Sequence, residues 1–225
     1  MALCWICNIE PGTTGEHLTK RSDIKSVLGA AGPLYRHDDN RMNVKLQSAN
    51  AKKLKSTAPM CNTCNSARTQ PHDYAWEAMS NALRHRKPAL KTGDFVRANG
   101  IFRYDTVRAL LNMHLFFVKW LGCQIVESSI PISQGIDVFA AAIMKQKMHP
   151  NVWLAFGVSK NIASVGSSNI DAATLQSAQG SYDYLCRFYH VGNLDVRVRF
   201  SDIRLKDDWR PGDSSRFVIG NLTGA

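Results

Sequence analysis

Two cysteine pairs dominate the chemistry available to this chain. Cys4 and Cys7 stand two residues apart near the N-terminus, and Cys61 and Cys64 repeat that spacing after 53 intervening residues. Two residues between cysteines let both thiolates of a knuckle face one ion, and two such knuckles complete a tetrahedral, closed, structural zinc site. A redox dithiol is the other use of Cys-x-x-Cys, but it follows a strand and opens a helix in a βαβ setting, which is missing here. Cys123 and Cys186 sit in apolar runs and read as buried, inert thiols.

A shared zinc ion folds the long insert between the knuckles back toward the metal. That insert contains Glu16-His17, and Asn65 directly follows the last cysteine. The pattern Cys-x2-Cys … Glu-His … Cys-x2-Cys-Asn-x2-Arg resembles the zinc-stapled HNH, or ββα-metal, endonucleases, with a motif layout similar to the phage junction-resolving endonuclease VII. The resemblance covers residues 1–85. It implies that Glu16 is a metal ligand, that His17 is the general base and that Asn65 is the second protein ligand. Physical chemistry agrees with those roles. An imidazole titrating near neutrality suits proton abstraction from water. A cation beside the scissile phosphate offsets charge on the leaving oxygen, and an oxygen-only pair such as Glu16 and Asn65 favours Mg2+ or Mn2+ over zinc.

Several neighbours have two readings. Asn65 could serve only as a helix cap, and His17 could only pad a hairpin. Arg68 is either a surface ion-pair partner or a phosphate clamp on the helix beside the site. Lys20 and Arg21 are either phosphate-backbone contacts or solvated charge. Asp73 reads as a cap and His72 as a surface residue. The resembled family also carries an Asn shortly before the second knuckle that orients the base histidine. Here that region reads "KLKSTAPM", so Ser56 or Thr57 must take its place, or Asn50 from farther away.

The elements that must position these groups follow from patterning. Pro11-Gly12 and Gly15 suggest a hairpin with Cys4 and Cys7 on one side and Glu16-His17 at its far end. "SDIKSVLG" suits a short helix capped by Ser22 or Asp23 and stopped at Gly29. Residues 32–56 read as polar loop with a short strand. Pro71 breaks or restarts the helix after the second knuckle, and Asp73 caps "YAWEAMSNALRHR". Beyond a boundary near residues 87–100, a long helix is expected from Asp105 to Val126 and a second at "IDVFAAAIMKQKM". Three strands follow, within "NVWLAFGVS", "SYDYLCRFYHVG" and "LDVRVRFSDIRL". The expected class is α+β: a zinc-stapled ββα-metal, treble-clef-like module at residues 1–90, then an α+β region at residues 91–225 for recognition, dimerisation or regulation.

Composition bounds the function. The 225 residues carry a net charge of +10. Residues 1–92 hold 14 Lys/Arg against 7 Asp/Glu, or +7, and the rest hold 14 against 11, or +3. The excess sits with the cysteine pairs and points to a polyanionic partner, nucleic acid first and double-stranded DNA most simply. His114 and Lys119 interrupt the longest apolar run, so a buried helix is expected there rather than a membrane span. With no secretory signal pattern, a cytoplasmic location is the expectation. The reading is a metal-dependent DNA endonuclease with structural Zn2+ and catalytic Mg2+ or Mn2+. The resemblance implies 3′-hydroxyl and 5′-phosphate products and a setting such as phage defence or restriction. Alternatives are a non-catalytic zinc module that only binds nucleic acid, and a nuclease that selects branched junctions. Cutting both strands with one site per chain would favour a homodimer.

Overall fold

The computed structural model describes residues 2–29, 34–38, 41–159, 164–168 and 182–222. It is mixed α and β. The N-terminal knuckle closes on itself: Leu3 bridges Pro11, and Cys4 N–H donates to Glu10 O at 2.8 Å. The Glu16-His17 segment does not pair with the first knuckle as the hairpin reading expected. It runs antiparallel to residues 54–60, with bridges Thr14–Met60 and His17–Lys55 and hydrogen bonds Ser56 N to Glu16 O (2.7 Å) and Leu18 N to Leu54 O (2.8 Å). Gly15 allows this approach, because a Cβ there would lie 2.3 Å from Ser56 O. The partner strand is thus the stretch entering the second knuckle, a long-range pairing that turn signals do not encode.

Helix α1 (Arg21–Leu28) follows the Glu16-His17 strand, and strands β1 (Leu34–Asp38) and β2 (Arg41–Leu46) form an antiparallel hairpin where mostly loop was expected. The second knuckle opens the short helix α2 (Asn62–Asn65), whose N-cap is Cys61. Helix α3 (Gln70–Arg84) begins earlier than predicted. Pro71 sits in its first turn, where a missing N–H costs nothing, so the proline starts this helix rather than breaking it. Asp73 is therefore inside the helix and is not its cap.

Strand β3 (Phe95–Arg97) precedes α4 (Thr106–Glu127), which matches the predicted long helix closely. Asp105 is its N-cap, accepting from Arg108 N–H at 3.0 Å. Helix α5 (Asp137–Met144) and strands β4 (Val152–Val158), β5 (Val165–Ser167), β6 (Leu185–Val191), β7 (Leu194–Phe200) and β8 (Arg216–Gly220) follow. The sheet order is β3-β8-β4-β7-β6-β5, antiparallel except for the parallel pair β4/β8.

Helix α4 joins the two halves of the sequence. It is long and apolar enough to cross a membrane by length and composition, yet 83% of its most apolar window is buried inside the fold. Its Phe116, Phe117 and Trp120 pack with Trp76 of α3 and Tyr189 of β6, with Trp76 and Phe117 edge-to-face at 4.8 Å. Asp23 of α1 is buried under this cluster instead of capping its helix. It accepts from Trp76 Nε1 (2.8 Å), Ser80 Oγ (3.2 Å) and Tyr189 Oη (2.7 Å), which satisfies a carboxylate that would otherwise be costly to bury. One hydrophobic core runs from Cys4 through Trp76 and α4 to Ile219.

Candidate functional site

The four knuckle cysteines meet. Their sulfurs all lie within 4.8 Å of one another, and Cys7 Sγ is 3.8 Å from Cys61 Sγ. A tetrahedral zinc–thiolate site with bonds of about 2.3 Å has edges of about 3.8 Å, so the donor set fits structural zinc. As free thiols these groups are poorly disposed to ionise together. Burial pushes Cys61 up to about 11 and raises Cys64 further. At Cys7 burial works upward too, but backbone hydrogen bonds at Glu10 and Ile9 outweigh it and bring the thiol down to about 7. A dication held by these four sulfurs would replace those protons and remove the conflict.

Beside this cluster lies a pocket of about 310 Å³ lined by Glu16, His17, Lys20, Arg21, Ser22, Asn65, Asp73 and Glu77. Five of the residues singled out in the sequence therefore come together: Glu16, His17, Asn65, Lys20 and Arg21. Glu16 and His17 arrive on the strand paired with residues 54–60, and Asn65 arrives at the end of α2. Lys20 and Arg21 arrive at the start of α1. Arg68 is not in the pocket lining; its guanidinium lies against Met144 Sδ of α5.

Three polar atoms of the pocket lining are buried with no hydrogen-bond partner among the described residues: His17 Nε2, Ser22 Oγ and Asn65 Oδ1. Burial holds the His17 imidazole down to about 4, and the cations Lys55, Arg21, Lys119 and Lys20 add to that effect. The ring is neutral at neutral pH. Asn65 Oδ1 is a hard, unsatisfied oxygen, the donor type a Mg2+ ion takes.

Sequence reasoning missed the residue that organises the carboxylates. Lys119 of α4 is 0% exposed, and its Nζ lies 2.9 Å from Glu16 Oε2 and 3.1 Å from Asp73 Oδ1. Thr69 Oγ1 accepts from the same ammonium at 3.3 Å. Burying an isolated ammonium costs several kcal/mol, roughly, and two carboxylates with a hydroxyl are what offset it here. Burial works to lower the Lys119 pKa, but Glu16 and Asp73 outweigh it and hold the amine charged. Glu16 is pushed up by burial, with Lys119 opposing and Asp73 adding to the rise. Lys20 completes the network, 4.0 Å from Asp73 Oδ1 and 3.6 Å from Glu77 Oε2. A lone lysine in the apolar run "FFVKWLG" was the signal, and the i,i+4 pair Asp73/Glu77 on one helix face was another.

The substitutes considered for the missing middle Asn point elsewhere. Ser56 Oγ donates to Glu127 Oε2 at 2.9 Å, and Thr57 donates to Glu127 Oε1 through both N–H and Oγ1 at 3.2 Å. Asn50 is exposed and its N–H donates to Ser48 Oγ. His72, expected at the surface, is 0% exposed with Nε2 3.1 Å from Gln146 Oε1. Comparisons with protein-family models, with curated proteins and with solved structures return no match for this chain.

Proposed function

We propose that the chain is a zinc-stapled endonuclease that hydrolyses phosphodiester bonds in nucleic acid, with double-stranded DNA as the first candidate. The observation that carries the reading is the convergence of Glu16, His17 and Asn65 in one pocket beside the cysteine cluster. Lys119 and Asp73 enter the proposal as additions to the expected residue set.

His17 acts as general base. Its imidazole is neutral and can accept a proton from water that enters the pocket. The surrounding cations that depress it are opposed by an incoming phosphate, whose negative charge moves the ring toward the working range. Lys20 and Arg21 at the pocket wall offer the backbone phosphates positive charge. Glu16 and Asn65 supply oxygen donors for one Mg2+ or Mn2+, and the ion pairs with Lys119 use only Oε2 of Glu16 and Oδ1 of Asp73. A cation bound there would neutralise charge on the scissile phosphate and its leaving oxygen. Residues 91–225 contribute target recognition or dimerisation, in addition to supplying α4.

A second reading is favoured by one observation, the Lys119 ammonium already seated between Glu16 and Asp73. On that reading the pocket is a self-satisfied ion-pair cluster in a module that binds nucleic acid without cutting it. Plasmid cleavage with Mg2+, Mn2+ or EDTA, on the wild type and His17→Ala, separates the two. A wild type that binds DNA but never nicks it with any divalent ion eliminates the enzyme. Branched against linear duplex in the same assay tests for junction selectivity.

A further inference from the structure

The strand carrying His17 is gripped on both sides of that residue by one helix from the other half of the chain. Lys119 Nζ holds the side chain of Glu16, the residue before it, at 2.9 Å. Trp120 Nε1–H donates to the carbonyl of Leu18, the residue after it, at 2.8 Å. Both donors are buried, Lys119 at 0% and Trp120 at 1% exposure, and they are consecutive on α4. No side chain among the described residues hydrogen-bonds His17 itself, and Ser56 and Thr57 of the paired strand are committed to Glu127, farther along α4.

We propose that Lys119 and Trp120 are positioning residues: from α4 they fix the Glu16–His17–Leu18 strand, so that the base and the ligand beside it face the pocket together. This rests on the nuclease reading above. Lys119 takes one oxygen of Glu16 and one of Asp73, which sets both carboxylates at most about 6 Å apart through a shared nitrogen and limits each to its remaining oxygen for a divalent ion. Trp120 fixes the peptide on the far side of His17. An ammonium on a flexible stem sets the side chain, and a rigid indole sets the backbone.

The test uses the zinc-loaded full chain and two variants, Lys119→Met and Trp120→Phe, with Lys119→Arg as the conservative rescue. Zinc content and thermal unfolding report folding. Mn2+ binding without nucleic acid is read by electron paramagnetic resonance, and kcat and KM are read on duplex DNA. Lys119→Met is expected to bind Mn2+ at least as tightly as the wild type, because a cation beside the carboxylates is gone. At saturating Mn2+ its kcat should nonetheless fall about 100-fold, with KM within about threefold and partial recovery in Lys119→Arg. Trp120→Phe should lower kcat by about tenfold at unchanged Mn2+ affinity. If Lys119→Met does not fold, Trp120→Phe decides alone. Wild-type kcat in the folded variants, or a kcat loss that only tracks lost Mn2+ binding, overturns the proposal while leaving the nuclease reading intact. A wild type that neither binds Mn2+ nor cleaves ends both.

Discussion

Trp5, between the two cysteines of the first knuckle, packs its indole against Gly122 of α4: a Cβ on Gly122 would stand 2.5 Å from Trp5 Cη2. The first cysteine knuckle is thereby seated directly on the central helix. Gly122→Ala must push the indole away or bend the helix, and overpacking of this kind typically costs about 1–3 kcal/mol. Urea unfolding of the zinc-loaded protein should show that loss. A midpoint equal to wild type would mean Trp5 is free to move aside.

Removing one sulfur should cost more. Cys61 closes the cluster and caps α2, its Sγ accepting from Cys64 N–H at 3.4 Å. Cys61→Ser is expected to drop zinc from one ion per chain to a small fraction and to unfold the N-terminal segment, since structural zinc binding is worth about 10 kcal/mol or more in small sites. Elemental analysis together with circular dichroism checks this. Stoichiometric zinc in the variant would show that three sulfurs suffice.

His17→Ala should separate binding from chemistry. Cleavage is expected to fall by about 10²–10⁴-fold, the usual contribution of a general base. Affinity for duplex DNA should stay close to wild type, because Lys20 and Arg21 remain. Retained cleavage would assign the proton to another group.

Acid stability follows from two histidines outside the pocket lining. His114 and His149 are fully buried, and burial pushes them down to about 3 and about 4. His149 N–H donates to His114 Nε2 at 3.3 Å, which only a neutral ring can accept. In the unfolded chain both protonate near pH 6.5. Between that pH and about 4 the unfolded state binds more protons, so stability is full above pH 6.5 and falls as pH drops through this window. His114→Gln should flatten the decline relative to wild type in unfolding experiments from pH 7 to 4. Parallel curves would exclude His114 as a contributor.

Features written in local sequence were legible, and features made by distant contacts were not. The cysteine spacing announced the cluster, and Asp105 with the apolar run after it announced α4 almost to its ends. The strand partner of Glu16-His17 was misassigned because Pro11-Gly12 is a strong turn signal, whereas the pairing with residues 54–60 joins segments about 40 residues apart that no local signal links. Asp73 carries the chemistry of an N-cap, and only the position of Lys119 shows that it is an ion-pair partner. His72 looked solvated because its neighbours are polar, but Gln146, just past the end of α5, covers it. The family resemblance ended near residue 85, short of the helix that grips the strand it had singled out.

The grip of α4 also has an order in time. Chains emerge from the ribosome N-terminus first, so both knuckles and the His17 strand are outside the tunnel before residues 119–127. During that interval Glu16 has no Lys119, Leu18 has no Trp120, and Ser56 and Thr57 have no Glu127. The residues that line the pocket all fall between positions 16 and 77, so the lining is synthesised before α4, and only the holds on Glu16 and Leu18 wait for the second half of the chain.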